Sequence, residues 1–270
     1  MSLQAHLVEG IDYLERPGKP GGPVLLLLHG IGSNANSFQP LMPELPGDWR
    51  VIAWNAPGYG RSEPLSSDWP LALDYAEALH RLVTALKLDR ILLAGHSLGT
   101  LVGAAYAAAH RDRVARLLLA SPALGHGMSR GSLSPTAQAR IDDLHRLGAP
   151  AFAAARAARL VYRPEDNPTL VARVRDGMGQ VKSPGYDAAA RMLASGRLLD
   201  DAARLFVPTD VIVGAEDVVT PPDGARRVHA ALRDEARGTL RIVPDAGHAI
   251  YLQTPAAFAT ALESLAETAC

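Results

Sequence analysis

One serine in this sequence stands at a sharp strand-to-helix transition between two glycines. Ser97 is the middle residue of Gly95-His96-Ser97-Leu98-Gly99, which follows an apolar run at 91–94 and precedes a small-residue helical segment at 101–109. The glycines remove Cβ atoms that would collide as the chain reverses, and the hydroxyl is left at a helix N-terminus, where negative charge is favoured. A serine can also serve only as an N-cap. The paired glycines favour a nucleophile, so the pattern predicts acyl-transfer chemistry.

A serine hydroxyl is a weak nucleophile at neutral pH, so it needs a histidine base and a carboxylate that orients the histidine. His248 follows a strand-like run at 240–243 and the turn cluster Pro244-Asp245-Ala246-Gly247. A histidine that merely occupies a surface turn is the alternative. Because open α/β sheets keep their sites on loops at strand ends, the position favours the role of base.

The carboxylate is expected in the loop that follows the preceding strand-like run. Asp217 is the preferred candidate, while Glu216, Asp223 and Asp245 are its rivals. Asp245 is so near to His248 in the chain that it cannot easily approach the ring. Asp217 could also be a simple turn residue. The order Ser, Asp, His fits one known architecture and favours Asp217.

The oxyanion formed by serine attack needs two hydrogen-bond donors. One is predicted to be the backbone N–H of Leu98, directly after the nucleophile. The other is assigned to the backbone N–H of Ile31, in the glycine-containing loop after the apolar run 24–28. His29, at the start of this loop, could be mistaken for a base. A histidine at a strand end beside glycine is more often a structural hydrogen-bonding group.

Five motifs in this order give the chain a resemblance to the α/β-hydrolase family, in its serine-dependent branch. They span nearly the whole length: 29–32, 55–62, 95–99, 214–217 and 247–248. The resemblance implies a mostly parallel central sheet flanked by helices. It also implies a nucleophile at Ser97, an acid at Asp217 and a base at His248.

Three departures from relatives refine this resemblance. The loop at 55–62 begins with Asn55 where the family usually has aspartate, a change expected to be structural. Ser97 argues against haloalkane dehalogenases and epoxide hydrolases, whose nucleophile is aspartate. The strand-like run 114–120 ends in Ser121-Pro122 without the carboxylate that some relatives carry there. Asp217 therefore remains the candidate acid.

The rest of the chain divides into a sheet-forming core and a helical insertion. Short strands are predicted within 3–28 and at 51–54, and a helix is indicated by helical spacing of apolar residues: Tyr75, Leu79, Leu82, Val83 and Leu86. Strands that alternate with helices imply a parallel sheet covered on both faces. We expect a core of residues 1–123 and 204–270, with residues 124–203 as a helical lid over Ser97 that excludes water and shapes the acyl pocket.

The predicted lid is basic. It contains ten arginines and one lysine against eight acidic residues, a net charge of +3 that could attract a carboxylate-bearing substrate. Most of these arginines are expected on solvated helix faces. The candidates for substrate contact are Arg130, Arg156, Arg159, Arg163 and Arg191.

Composition limits the classes of binding partner and the cellular compartment that are expected for this protein. The net charge of −1 over 270 residues favours neither nucleic acid nor a membrane surface as partner. The single cysteine, Cys270, allows no internal disulfide, and no apolar run approaches the length of a membrane span, so a cytoplasmic location is expected. Metal-binding and dinucleotide-binding motifs are lacking, so no metal and no cofactor is predicted. The sequence does not indicate the oligomeric state.

The leading hypothesis is a cofactor-independent serine hydrolase that cleaves a small carboxylic ester, thioester or lactone through an acyl-Ser97 intermediate. A carbon–carbon hydrolase or enol-lactone hydrolase of aromatic catabolism is the alternative. The carbon–carbon hydrolases usually carry a methionine and paired glycines where this chain has Leu98-Gly99-Thr100. A non-catalytic ligand receptor built on the same scaffold is the third hypothesis. Amide cleavage also stays open.

Overall fold

A single eight-stranded sheet lies at the centre of the computed structural model, which describes residues 3–267. Its spatial order is β1-β2-β4-β3-β5-β6-β7-β8. The strands are β1 (Gln4–Val8), β2 (Ile11–Arg16), β3 (Val24–Leu28), β4 (Arg50–Trp54), β5 (Ile91–His96), β6 (Val114–Ala120), β7 (Thr209–Gly214) and β8 (Arg237–Val243). Strands β1 and β2 pair antiparallel at one edge, and all pairs from β4 to β8 are parallel. The predicted α/β class with a mostly parallel sheet is confirmed.

The inner strands are apolar because both faces of a parallel sheet are covered. All four residues Leu25, Leu26, Leu27 and Leu28 of β3 are fully buried. The predicted run 114–120 matches β6. Strand β8 begins at Arg237, three residues before its predicted start at 240, because polar residues open this partly exposed edge strand and give no apolar signal.

Helices cover both sides of this sheet. Outside the segment 124–203 the structure describes α1 (Ala72–Ala85), α2 (Leu98–Ala109), α7 (Pro222–Ala231), α8 (Ile250–Gln253) and α9 (Pro255–Glu267). Helix α1 buries Tyr75, Leu79, Leu82 and Val83, as its apolar spacing predicts. Helix α2 begins at Leu98, three residues before the expected start, so Ser97 directly precedes its first residue.

The segment 124–203 connects β6 to β7 and contains helices and turns but no strand, over a stretch the structure describes completely. Its helices are α3 (Pro135–Ala154), α4 (Pro168–Met178), α5 (Gly185–Ser195) and α6 (Leu198–Ala202). The Ser134 side chain caps α3 by accepting a hydrogen bond from the N–H of Ala137. Gly148, with φ 72°, bends the same helix two residues before Pro150.

Within residues 3–267, none of the helices is long and apolar enough to cross a membrane. Within the same residues, no cluster of three histidine, cysteine or acidic side chains has the arrangement of a metal site. Cys270, on which the disulfide prediction rests, lies outside the described residues.

Candidate active site

Ser97 occupies the tight turn between β5 and α2 with a strained backbone. Its φ of 53° and ψ of −115° lie in a region that side-chain-bearing residues rarely adopt, at a cost of about 1–3 kcal/mol. A Cβ at Gly95 would collide with the carbonyl oxygen of Gly99, and a Cβ at Gly99 would collide with the carbonyl oxygen of Leu28. The two glycines therefore permit the close packing that holds the turn.

Backbone hydrogen bonds fix this turn from both sides. The N–H of Ser97 donates to the carbonyl oxygen of Ala120 at 2.9 Å, and the Ser97 carbonyl accepts from the Thr100 hydroxyl at 2.6 Å. Within residues 3–267 the Ser97 hydroxyl itself makes no hydrogen bond. Ser97 and His248 line the same cavity. The two residues thus border a common space.

His248 and Asp217 form a buried pair at the ends of neighbouring parallel strands. Asp217 follows β7 and His248 follows β8. The His248 Nδ1–H donates to Asp217 Oδ2 at 2.9 Å, and the two side chains are only 5% and 0% exposed. The other carboxylate oxygen accepts hydrogen bonds from the N–H groups of Val219 and Thr220, both at 2.8 Å. The ring is therefore held in one orientation.

The Asp217 carboxylate stays ionised in this buried position. Burial alone would raise its pKa, but the hydrogen bond and positive charge from His248, with the two backbone N–H donors, lower the pKa of Asp217 to about 2. An ionised carboxylate keeps the proton on Nδ1 of His248. The opposite ring nitrogen, Nε2, is then the one available to accept a proton.

The rival carboxylates do not reach the His248 ring. Glu216, Asp223 and Asp245 are exposed, and Asp223 pairs with Arg226 at 2.8 Å. Of the four carboxylates weighed from the sequence, Asp217 is the one hydrogen-bonded to the imidazole among the described residues.

Thr220 contacts both His248 and Asp217, although no role is predicted for it from the sequence. Its hydroxyl lies 2.9 Å from Asp217 Oδ2, 3.2 Å from His248 Nδ1 and 3.0 Å from the carbonyl oxygen of Ser121. The only signal for it in the sequence is its position three residues after Asp217 in the same loop. Thr220 ties the acid loop to the end of β6.

His96 supports the loop that carries His248. Its Nε2–H donates to the carbonyl oxygen of His248 at 2.8 Å, and the two rings lie 4.8 Å apart. Burial, reinforced by the neighbouring His248 charge, lowers the pKa of His96 to about 3. His96 is therefore neutral near pH 7 and serves as a fixed donor to this loop.

The two predicted oxyanion donors belong to the loop after β3 and to the first turn of α2. Neither the N–H of Ile31 nor that of Leu98 donates a hydrogen bond within the described part of the chain. The Tyr59 hydroxyl donates to the Ile31 carbonyl at 2.8 Å and so orients that peptide. Ile31 lines the cavity with Ser97, and Leu98 is the first residue of α2.

His29 makes structural hydrogen bonds with both ring nitrogens. Its Nδ1–H donates to the Gly30 carbonyl at 2.8 Å, and its Nε2 accepts from the N–H of Ala56 at 3.0 Å. Burial lowers the pKa of His29 to about 4. Asn55 acts similarly, with its amide donating to Asp12 at 2.7 Å and its carbonyl oxygen accepting from the N–H of Ala35 at 2.9 Å. Both side chains hold loops beside the site.

The cavity beside Ser97 has a volume of about 350 Å³, which is the size of a small-molecule site. Residues of the segment 124–203 form much of its wall: Phe152, Leu160, Val174, Met178, Tyr186 and Leu193. These side chains are mostly apolar. The segment thus contributes apolar side chains to the cavity that Ser97 and His248 also line.

The five candidate arginines lie in different surroundings. Arg156 and Arg159 line an adjoining cavity. Arg130 donates instead to the Ser67 hydroxyl, Arg191 donates to the Asp68 carbonyl, and Arg163 lies over the Tyr162 ring. Arg140 lines both the Ser97 cavity and the adjoining one. It is not among the five arginines predicted as candidates for substrate contact.

Comparisons with known proteins identify the fold family of this chain. A family model described as alpha/beta hydrolase fold matches residues 23–255. The chain is 28% identical over 263 residues to the pimeloyl-[acyl-carrier protein] methyl ester esterase of Neisseria meningitidis serogroup B, covering 89% of this chain and 92% of that protein. It also resembles the enol-lactonase from Burkholderia xenovorans LB400, with a TM-score of 0.84, 24% identity, and coverage of 98% and 100% of the two chains.

A third similar protein is named for a different substrate. The 2-hydroxy-6-oxo-6-phenylhexa-2,4-dienoate hydrolase from Rhodococcus sp. strain RHA1 superimposes with a TM-score of 0.78 at 19% identity, covering 98% of this chain and 99% of that one. At such identities the two solved structures show a shared fold alone. The match to the family model shows more: the chain belongs to the alpha/beta hydrolase fold family. The hydrolases among its relatives support the interpretation that this protein is an enzyme.

Proposed function

We propose that this protein hydrolyses a small carboxylic ester, thioester or lactone without a cofactor, through an acyl-Ser97 intermediate. The observation that carries the proposal is the buried pair of His248 and ionised Asp217, which opens into the cavity that contains the Ser97 hydroxyl. A serine, a histidine and a carboxylate in this relation are the components of acyl-transfer catalysis.

In the first half of the reaction, His248 Nε2 takes the proton of the Ser97 hydroxyl as Oγ attacks the carbonyl carbon. The carbonyl oxygen becomes an oxyanion and accepts hydrogen bonds from the N–H groups of Ile31 and Leu98. Asp217 stabilises the imidazolium that forms. The C–O or C–S bond to the leaving group then breaks, and the imidazolium gives its proton to the departing oxygen or sulfur.

In the second half, His248 takes a proton from water while the water oxygen attacks the acyl carbon. The bond from that carbon to Ser97 Oγ breaks, Oγ regains the proton, and the carboxylic acid leaves. We propose that the segment 124–203 acts as the lid predicted from the sequence and forms a separate unit over the core 1–123 and 204–270. Its apolar wall would limit the access of bulk water to the acyl group.

The names of similar proteins fit an ester or lactone substrate. One relative is named for the cleavage of a methyl ester, and one structural neighbour is named as an enol-lactonase. Another structural neighbour is named for a dienoate substrate. Carbon–carbon hydrolysis is therefore the alternative reaction that the substrate tests compare with ester hydrolysis.

The test is turnover of p-nitrophenyl butyrate by the wild-type protein and by Ser97→Ala, with Ser129→Ala as the control for an exposed serine. We expect Ser97→Ala to lose turnover while retaining the wild-type circular dichroism spectrum, and Ser129→Ala to match the wild type. A fluorophosphonate should label the wild type at Ser97. If Ser97→Ala keeps most of the rate, the proposed function is wrong. Stoichiometric labelling without turnover of any acyl substrate would favour the receptor hypothesis.

A further inference from the structure

The cavity beside Ser97 adjoins a second cavity in the helical segment. This outer compartment, lined in part by Asp143, Arg156 and Arg159, has a volume of about 400 Å³. The residues that line both compartments are His126, Arg140, Leu160, Met178, Leu193 and Val219. A molecule bound beside Ser97 therefore lies next to residues that also line the outer compartment.

The outer compartment carries an excess of positive charge. Three of its lining residues are arginines, and its one carboxylate, Asp143, is already bound by Arg156 at 2.6 Å and by Arg146 at 2.7 Å. Hydrogen bonds from those two arginines lower the pKa of Asp143. Arg159 donates to the Val218 carbonyl at 3.3 Å. No acidic side chain of the compartment is left to neutralise Arg140.

Arg140 is the charged residue at the junction. Within residues 3–267 it forms no ion pair, and its side chain is partly buried. Its neighbour at this point is an aromatic side chain: burial raises the pKa of Tyr186, while the positive charge of Arg140 and a side-chain hydrogen bond from Arg140 oppose that rise. A partly desolvated guanidinium without a carboxylate is costly unless an anion binds to it.

We propose that Arg140 binds a carboxylate of the substrate, so that the protein acts on esters or lactones that carry a second, ionised carboxyl group. A guanidinium matches a carboxylate with two parallel N–H donors, which makes arginine the favoured residue for this contact. The reacting carbonyl lies at Ser97 in the inner compartment, and the carboxylate lies at the junction. The apolar walls formed by Phe152 and Leu193 receive the linker between the two groups. This inference rests on the proposed function.

The test compares anionic esters with their neutral counterparts. One pair, monoethyl and diethyl adipate, places the carboxylate on the acyl side, while 4-acetoxybutanoate and its ethyl ester place it on the alcohol side. The measured quantity is the ratio of kcat/KM for the anionic ester to that for the neutral ester. We expect this ratio to exceed one by about tenfold or more in the wild type for one pair, which identifies the side that carries the carboxylate.

Arginine variants assign the preference to Arg140. We expect Arg140→Gln to lower the ratio by about 10-fold to 100-fold, chiefly through KM of the anionic ester, since a hydrogen bond to a charged group is lost. Arg140→Lys should give an intermediate ratio. Arg173→Gln, at an exposed position of helix α4 and outside both compartments, should keep the wild-type ratio. A ratio near one in the wild type for both pairs, or an unchanged ratio in Arg140→Gln, overturns the inference.

Binding without turnover separates this inference from the proposed function. Calorimetry with adipate on Ser97→Ala should show binding that Arg140→Gln in the same background weakens by about tenfold or more. Equal adipate binding with and without Arg140 overturns the inference even if ester hydrolysis is confirmed. Conversely, adipate binding that depends on Arg140 supports the inference even if Ser97→Ala retains turnover and the proposed function fails.

Discussion

The side-chain amide of Gln253 pairs with both backbone polar groups of Tyr162. Its Oε1 accepts the Tyr162 N–H at 3.0 Å, and its Nε2 donates to the Tyr162 carbonyl at 2.8 Å. The same Oε1 accepts the N–H of Gly247 at 3.0 Å, and the N–H of Ala249 donates to the Leu160 carbonyl at 2.9 Å. The residues on both sides of His248 are thus joined to residues 160–162, between α3 and α4 of the helical segment.

This connection predicts that Gln253→Met impairs both stability and catalysis. Methionine has a similar size but cannot replace the three hydrogen bonds of Gln253. We expect the free energy of unfolding in urea to fall by about 1–3 kcal/mol. We also expect kcat for p-nitrophenyl butyrate to fall roughly tenfold or more, since small displacements of a catalytic group are costly.

The control for Gln253→Met is the same substitution at an exposed site. Gln138 lies on α3 and hydrogen-bonds the exposed Asp142 at 2.8 Å. Gln138→Met should keep the wild-type kcat and unfold at the wild-type urea concentration. Equal behaviour of the two variants would show that the bridge between Gln253 and Tyr162 does not support His248.

The role assigned to Asp217 predicts a large effect of Asp217→Asn. An amide can donate to Nδ1 of His248, which favours the ring tautomer with the proton on Nε2, the nitrogen proposed to accept the Ser97 proton. That tautomer cannot act as base, so we expect kcat to fall by about 10⁴-fold, the loss seen when such a carboxylate becomes an amide in serine proteases. Steady-state kinetics with p-nitrophenyl butyrate measures this change.

The neighbouring carboxylate provides a matched control. Glu216→Gln removes one negative charge one residue away, but Glu216 is exposed and does not contact the ring. We expect its kcat to stay within about twofold of the wild type, since surface substitutions away from a site have small effects. If Glu216→Gln were the slower variant, the acid would have been assigned to the wrong residue.

The central sheet and the residues around Ser97 could be predicted because their signals are local. Buried parallel strands have continuous apolar sequences, and the tight turn at Ser97 requires glycines at fixed offsets. The start of α2 at Leu98 was placed three residues late because the apolar pattern of a helix does not mark its first turn. The assignment of catalytic roles to Ser97, Asp217 and His248 stays a prediction that the variants above test.

The contacts made over long sequence distances could not be predicted. Gln253 and Tyr162 are 91 positions apart in the sequence, and no pattern near either residue predicts their contact. Arg140 lines the cavity because of the face that α3 presents to α4 and α5, which depends on tertiary packing. Composition correctly indicated a basic helical segment, but it could not separate Arg140 from arginines such as Arg191 that bond elsewhere.

The two buried histidines that hold loops near Ser97 predict that the protein loses stability in mild acid. An unfolded histidine binds a proton below about pH 6.5. The folded protein resists protonation of His29 and His96 until their lowered pKa values of about 4 and about 3. Because the unfolded chain binds more protons in this interval, stability is complete above about pH 6.5 and falls as the pH decreases toward 3. Each site contributes a slope of up to about 1.4 kcal/mol per pH unit.

Comparison of His29→Gln with the wild type isolates one of these contributions. Glutamine can still accept the hydrogen bond from the Ala56 N–H but does not titrate. We expect His29→Gln to be less stable at pH 7.5, because its amide fits the two partners of the ring less well. On acidification to pH 4.5, the difference in unfolding free energy should shrink by about 2 kcal/mol, since the variant lacks this linked proton. Urea denaturation at pH 7.5, 6.0 and 4.5 measures the difference, and parallel pH profiles would contradict the neutral, hydrogen-bonded state of His29.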